Sequence, residues 1–188
     1  LNDLDNGDRT RLEVAKQVVS DFINGRQSDR IGMVVFAGES FTQCPLTLDY
    51  KILLEFLEGI PIAEKSWDGT AIGMALINAV NRLREAEGRS QVIILLTDGV
   101  NNAGEIDPVT AAETAGAVGV RIYTIGIGSD GSIRRAVPGV FGTRYQNVEV
   151  EIDEETLRTV AKKTGGKYYR ATSEKKLEQI YDEIGELE

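Results

Sequence analysis

The chain has 188 residues, with 30 Asp and Glu against 21 Lys and Arg, a formal net charge of −9, one cysteine and no histidine. That length supports one domain with a substantial core, and the acidic balance argues against a nucleic-acid backbone as partner while suiting cations or basic partners. The lack of histidine excludes Cys-His and Ser-His-Asp catalysis, the lone Cys44 excludes an internal disulfide, and a nitrogen- or thiolate-rich zinc site fits poorly. Any metal is therefore expected to be a hard cation held by oxygens. No run of eighteen apolar residues is present, so no membrane span is expected within the chain, and its polar start shows no signal peptide.

Residues 1–8 are polar and acidic and read as a loop. Leu12, Ala15, Val19 and Phe22 recur at helical spacing with Ile23 beside them, and Gly25 is a stop. Arg30 to Phe36 reads as an apolar strand. A turn at 37–40 leads to a short second strand over Phe41 to Leu46, limited by Pro45, and so short a connection implies antiparallel pairing. Asp49 caps a helix over Tyr50 to Leu57 with Ile52, Leu53, Phe56 and Leu57 inward. A loop from Gly59 to Gly69 carries Trp67. A long helix follows from about Thr70 to Ala86, with Ile72, Ala75, Leu76, Ala79, Val80 and Leu83 in one stripe.

Val92 to Leu96 is an unbroken apolar run rich in β-branched residues, as expected of a parallel strand buried on both faces. Asp107-Pro108 opens an alanine-rich helix to about Val118, and Val120 to Ile127 is the next strand. Residues 128–150 read as irregular, with a short edge strand over Val148 to Ile152. Asp153 caps a helix to about Thr164, ended by Gly165-Gly166. Lys167 to Ala171 is a strand, and Ser173 starts a terminal helix with Leu177, Ile180, Tyr181, Ile184 and Leu187 on one face. This alternation predicts a single α/β domain over 1–188: a Rossmann-like, doubly wound, mostly parallel sheet with helices on both faces and one short antiparallel edge strand.

Two loops carry candidate chemistry. The run 92–96 ends in Thr97-Asp98-Gly99 followed by Val100-Asn101-Asn102, and ligands in open α/β sheets bind at the carboxyl ends of strands. Asp98-Gly99 also reads as a plain turn. The second is Trp67-Asp68-Gly69-Thr70-Ala71-Ile72-Gly73, where Thr70 is either the N-cap of the following helix or a hydroxyl ligand for a cation with Asp68 nearby. Two neighbouring strand-end loops aiming oxygens at one spot suit an octahedral Mg²⁺ or Mn²⁺ that keeps waters. Gly126-Ile127-Gly128-Ser129-Asp130-Gly131 has the letters of a dinucleotide fingerprint, but no helical stripe follows it, so these read as ordinary loop glycines.

Four stretches together resemble the von Willebrand factor A (vWA) domain: 29–36, Asp-Gly-Thr-Ala-Ile-Gly at 68–73, 92–102, and Val-Arg-Ile-Tyr-Thr-Ile-Gly-Ile-Gly at 120–128. More narrowly, 36–47 and 101–108 are similar to the Bat group of bacterial membrane-anchored vWA proteins, named for Bacteroides aerotolerance. The resemblance implies a metal-ion-dependent adhesion site (MIDAS) in which Thr70 ligates the metal directly, Asp98 binds it through water, and a partner's acidic residue completes the coordination. The metal it implies is Mg²⁺ and the role is binding, not catalysis. The family's Asp-x-Ser-x-Ser motif and the apolar first strand before it have no counterpart here. Asp3, Asp5 and Asp8 lie in that neighbourhood without matching the motif.

The resemblance thus implies a protein-interaction module that binds an Asp or Glu of its partner through a divalent metal. It implies a role in bacterial envelope stress tolerance with a MoxR-type ATPase and other vWA proteins. It also implies attachment to the inner membrane through segments outside this chain, with the domain facing the periplasm. An open sheet edge makes an oligomer, or a strand supplied by another chain, an expected consequence of the absent first strand. Two other readings stand beside it: a metal-free scaffold that keeps the fold, and a Mg²⁺-dependent hydrolase using Asp98 and Asp68.

Overall fold

In the computed structural model the described residues are 10–61, 69–86, 90–128, 132–139, 142–149 and 152–188, the two segments between 132 and 149 by their backbone alone. The elements in chain order are α1 (Arg11–Asn24), β1 (Ile31–Phe36), β2 (Ser40–Thr47), α2 (Tyr50–Glu58), α3 (Ile72–Arg84), β3 (Val92–Thr97), α4 (Pro108–Ala117), β4 (Arg121–Ile127), β5 (Ser132–Gly139), β6 (Gly142–Glu149), α5 (Glu154–Lys163), β7 (Tyr168–Ala171) and α6 (Glu174–Leu187). The expected loop at 1–8, Trp67 and Asp68 lie outside the described residues.

The parallel sheet runs β3-β4-β7, with Val92 opposite Arg121 and Thr124 opposite Tyr168 at the first rungs. Strand alternation sorts its side chains onto two faces. Tyr123, Ile125 and Ile127 of β4 pack with Val14 and Val18 of α1 and Leu177, Ile180 and Ile184 of α6. Ile93 and Leu95 of β3 and Ile122 of β4 pack with α3, α4 and α5 through Ile72, Leu76, Ala111, Ala112, Leu157 and Val160. Helices on both faces of a parallel sheet are the architecture that the alternating pattern predicts. β3 itself alternates: Ile93 and Leu95 are buried under α3 and α4, whereas Val92, Ile94 and Leu96 on the opposite face are partly buried.

β1 and β2 form a separate antiparallel pair, with Phe36 opposite Ser40. A smaller cluster under it joins Cys44, Leu53, Leu57 and Ile23. Asp49 caps α2 by accepting from the Ile52 N–H at 3.1 Å, worth about 1 kcal/mol. The inward face of α2 is narrower than its apolar sequence suggests: Leu53 and Leu57 are buried, whereas Ile52 is 45% and Phe56 42% exposed. Nine residues of helix over a two-stranded sheet offer only one covered stripe. Leu187, expected inward on α6, is also exposed.

The segment expected to be irregular contains an antiparallel hairpin, β5 with β6, whose last rung pairs Gly139 with Gly142. Residues 132–139 lack both an alternating pattern and an apolar run, so periodicity gave no strand signal there. A strand, not a helix, follows Gly126–Gly131, which upholds the reading of those glycines as no dinucleotide fingerprint.

The far end of α6 is tied to the sheet base. The Glu188 carboxylate accepts from Ser90 Oγ at 2.9 Å and Tyr123 OH at 2.6 Å, and it pairs with Arg121. Burial alone would raise its pKa; the hydrogen bonds from Tyr123, Ser90 and Arg121 outweigh burial and hold it below the usual carboxylate range. A carboxylate depressed in the folded state stabilises above its unfolded pKa, and that contribution is lost as pH falls through the folded value. Glu188→Gln should therefore melt below the parent at pH 7, with the gap closing as pH drops below about 4. Thermal melts of both proteins between pH 7 and 3 test this, and a gap that does not change with pH would contradict it.

Candidate functional site

The site stands at the carboxyl end of β3, where Thr97, Asp98 and Gly99 leave the sheet toward the start of α3. Thr97 is buried, and its hydroxyl accepts from the Gly99 N–H at 3.3 Å, which turns the chain immediately after the strand. Asp98 follows, with its carboxylate at the rim.

The loop 99–103 clasps the segment before α3 through four hydrogen bonds. Asn102 Oδ1 accepts from the Thr70 N–H at 2.8 Å, and Asn101 Oδ1 accepts from the Ile72 N–H at 2.9 Å. In return the Thr70 carbonyl accepts from the N–H groups of Asn102 at 3.1 Å and Ala103 at 3.3 Å. The Ala71 N–H reaches the other way, to the Ala37 carbonyl at 2.7 Å in the β1–β2 turn. Thr70 and its neighbours are thus fixed by backbone bonds from two strand-end loops.

This arrangement removes the N-cap reading of Thr70. The helix begins at Ile72, and Ala71 occupies the N-cap position without a side-chain cap bond. Asn101, brought from the neighbouring loop, supplies the acceptor that a helix start needs. The Thr70 hydroxyl is therefore not spent on capping and makes no hydrogen bond with the described residues. It lies against Gly99: a Cβ added there would stand 2.9 Å from Thr70 Oγ1. Glycine at 99 keeps the hydroxyl uncovered beside the residue that follows Asp98. Gly73 serves the same closeness from behind, since a Cβ there would come within 1.9 Å of the Ile106 carbonyl oxygen.

Asp98 has one charged neighbour that the sequence does not reveal. Arg11 Nη1, from the first turn of α1, lies 3.3 Å from Asp98 Oδ2. The two residues are 87 positions apart, so no local pattern links them. Asn101 and Asn102, by contrast, were visible as two side-chain amides directly after a strand end, a composition suited to binding exposed backbone groups.

The structure brings Thr70 and Asp98 to one end of the sheet, as expected; Asp68, Asp3, Asp5 and Asp8 lie outside the described residues. Two hard oxygen donors, an uncovered hydroxyl and an exposed carboxylate, fit a Mg²⁺ or Mn²⁺ that keeps several waters. No group of three or more His, Cys, Asp or Glu side chains gathers around a possible metal among the described residues.

Comparison with known proteins agrees with this fold. The von Willebrand factor type A domain profile matches residues 8–183. An uncharacterized protein of Borreliella burgdorferi is 33% identical over 162 residues, covering 86% of this chain and 47% of that protein. The chain spans about half the length of such relatives. Among solved structures, BatB from Bacteroides thetaiotaomicron superposes with a TM-score of 0.77 at 32% identity, covering 96% of this chain and 89% of that one. An aerotolerance-related membrane protein from Bacteroides fragilis gives a TM-score of 0.77 at 29% identity, over 95% of this chain and 88% of that one.

Replacing Asn102 by Ala removes the acceptor of the Thr70 N–H. The variant should lose about 1–2 kcal/mol of stability, read from urea denaturation. Unchanged stability would mean that the Asn102 bond does not hold the Thr70 segment.

Proposed function

This chain belongs to the von Willebrand factor type A domain family, and on that premise we propose that it is a protein-interaction module that binds an Asp or Glu of its partner through a divalent metal. The observation that carries the reading is the Thr70 hydroxyl, left uncommitted by helix capping and set beside the Asp98 turn. Thr70 would ligate the ion directly and Asp98 would hold it through water. The ion would supply positive charge for the partner's carboxylate, and Mg²⁺ is the first choice for such a site, with Mn²⁺ as its substitute. This is binding, not turnover: the chain offers no histidine base.

The likeness to BatB and to an aerotolerance-related membrane protein supports a place in the bacterial envelope. No described helix is long and apolar enough to cross a membrane. Attachment to the inner membrane, with this domain toward the periplasm, would then come from other segments. A MoxR-type ATPase and other vWA proteins are the partners this reading names. The edges of β1 and β3 that have no partner strand among the described residues, both covered by α3, support a further part of it. An extended strand, from the same protein or from a neighbouring copy, would lie between them.

Thr70→Ala and Asp98→Ala should each abolish saturable Mg²⁺ and Mn²⁺ binding in a calorimetric titration and weaken metal-dependent capture of an acidic partner at least tenfold, about 1.4 kcal/mol. Both should keep the parent's circular dichroism. Partner binding that persists in chelator and in both variants would leave the metal-free scaffold as the better reading. Light scattering that finds a stable, folded monomer of these residues alone would remove the need for an added strand.

A further inference from the structure

The Arg11–Asp98 pair places a permanent positive charge where the proposed site needs a metal. The arginine is held from a rigid base. α1 starts with a capping box in which Thr10 Oγ1 accepts from the Glu13 N–H and the Glu13 carboxylate accepts from the Thr10 N–H. Val14 and Val18, on the following turns, anchor the helix in the core. The Arg11 side chain is only 17% exposed, against 59% for Asp98. The cation is thus the fixed member of the pair, and the carboxylate is the member with freedom to turn.

The contact itself is loose. A single guanidinium nitrogen meets a single carboxylate oxygen at 3.3 Å, longer than a charge-assisted bond and without the two-pronged geometry arginine can make. An arginine cannot relieve the conflict by losing its proton. A divalent ion near Asp98 would lie well within the distance over which salt screens charge, so the two cations repel each other.

We propose that Arg11 is a built-in counter-cation for Asp98 that competes with the divalent ion, so that the Arg11–Asp98 pair and metal binding at Asp98 exclude each other. This rests on the metal reading given above and adds a control to it. In the metal-free state Arg11 neutralises Asp98 and keeps the rim from presenting a bare carboxylate. Metal binding turns Asp98 away and leaves the guanidinium beside the occupied site. Arg11 is a positioning residue, not a ligand, and it sets the metal concentration at which the module becomes competent.

The test is calorimetric titration of the intact protein with Mn²⁺ in chelator-treated buffer, as parent, Arg11→Gln, Arg11→Lys and Asp98→Ala. Arg11→Gln should bind Mn²⁺ on the order of tenfold tighter, and Arg11→Lys, which keeps the charge, should stay within about threefold of the parent. Binding that appears only in Arg11→Gln also supports the competition. Metal-free dichroism spectra certify the fold of each variant, and Arg11→Met, which also removes the charge, takes the place of Arg11→Gln with the same expected result if Gln proves unstable. Asp98-dependent binding that is equal or weaker in Arg11→Gln overturns the competition and leaves the metal site standing. Binding that ignores Asp98→Ala, or no binding in any variant, overturns the site and the competition together.

Discussion

The clasp between loop 99–103 and the segment before α3 is the constraint on which the site depends. Five backbone groups of Thr70, Ile72, Asn102 and Ala103 and two asparagine side chains are satisfied within it. Each such bond contributes modestly, but losing one leaves an amide unpaired beside a helix start, which costs more than the bond gave. The clasp does more than stabilise. With the helix start bonded to Asn101, the Thr70 hydroxyl has no partner among the described residues, at the rim of the sheet. Ala71, bonded to Ala37, ties the same segment to β1–β2, so one short stretch connects the two sheets at the site.

Most of the architecture was legible because it rests on periodicity and punctuation. The caps at Asp49, Asp107, Asp153 and Ser173 all accept from the helix starts they precede. Apolar runs marked β1, β3 and β4. What escaped has physical reasons. The β5–β6 hairpin carries no alternating pattern. Ile52 and Phe56 are apolar but lie beyond the single stripe that β1 and β2 can cover. Thr70 and Asp98 stood out in the sequence as oxygen donors in two loops, of which only the one after β3 leaves a strand end; Thr70 lies between α2 and α3. Their surroundings were legible in part: the asparagines stood in plain sight after a strand, whereas Arg11 comes from a helix far away in sequence and meets Asp98 only through the fold.

The two faces of the parallel sheet divide the labour. On one face Ala111, Ala112 and Ala115 let α4 approach the sheet closely, while α3 and α5 contribute Ile72, Leu76, Leu157 and Val160. α1 and α6 cover the other face with larger side chains, including Phe22 and Tyr181 with ring centres 5.0 Å apart. The metal candidate Thr70 is presented from the first face and its rival Arg11 from the second. Asp98 stands at the end of β3, within reach of Arg11.

Cys44 gives the molecule an intrinsic reporter. It is the only thiol in the chain, it is buried against Leu53, Leu57 and Ile23, and burial pushes its pKa up. A thiol so placed is unreactive while α2 stays seated on β1–β2, because the thiolate is the species that alkylates and it needs access. Alkylation kinetics therefore measure how often that small cluster opens, at native conditions and without any engineered label. Since β1–β2 shares the Ala37–Ala71 bond with the site, the same clock records whether events at the rim loosen or tighten the remote end of the domain.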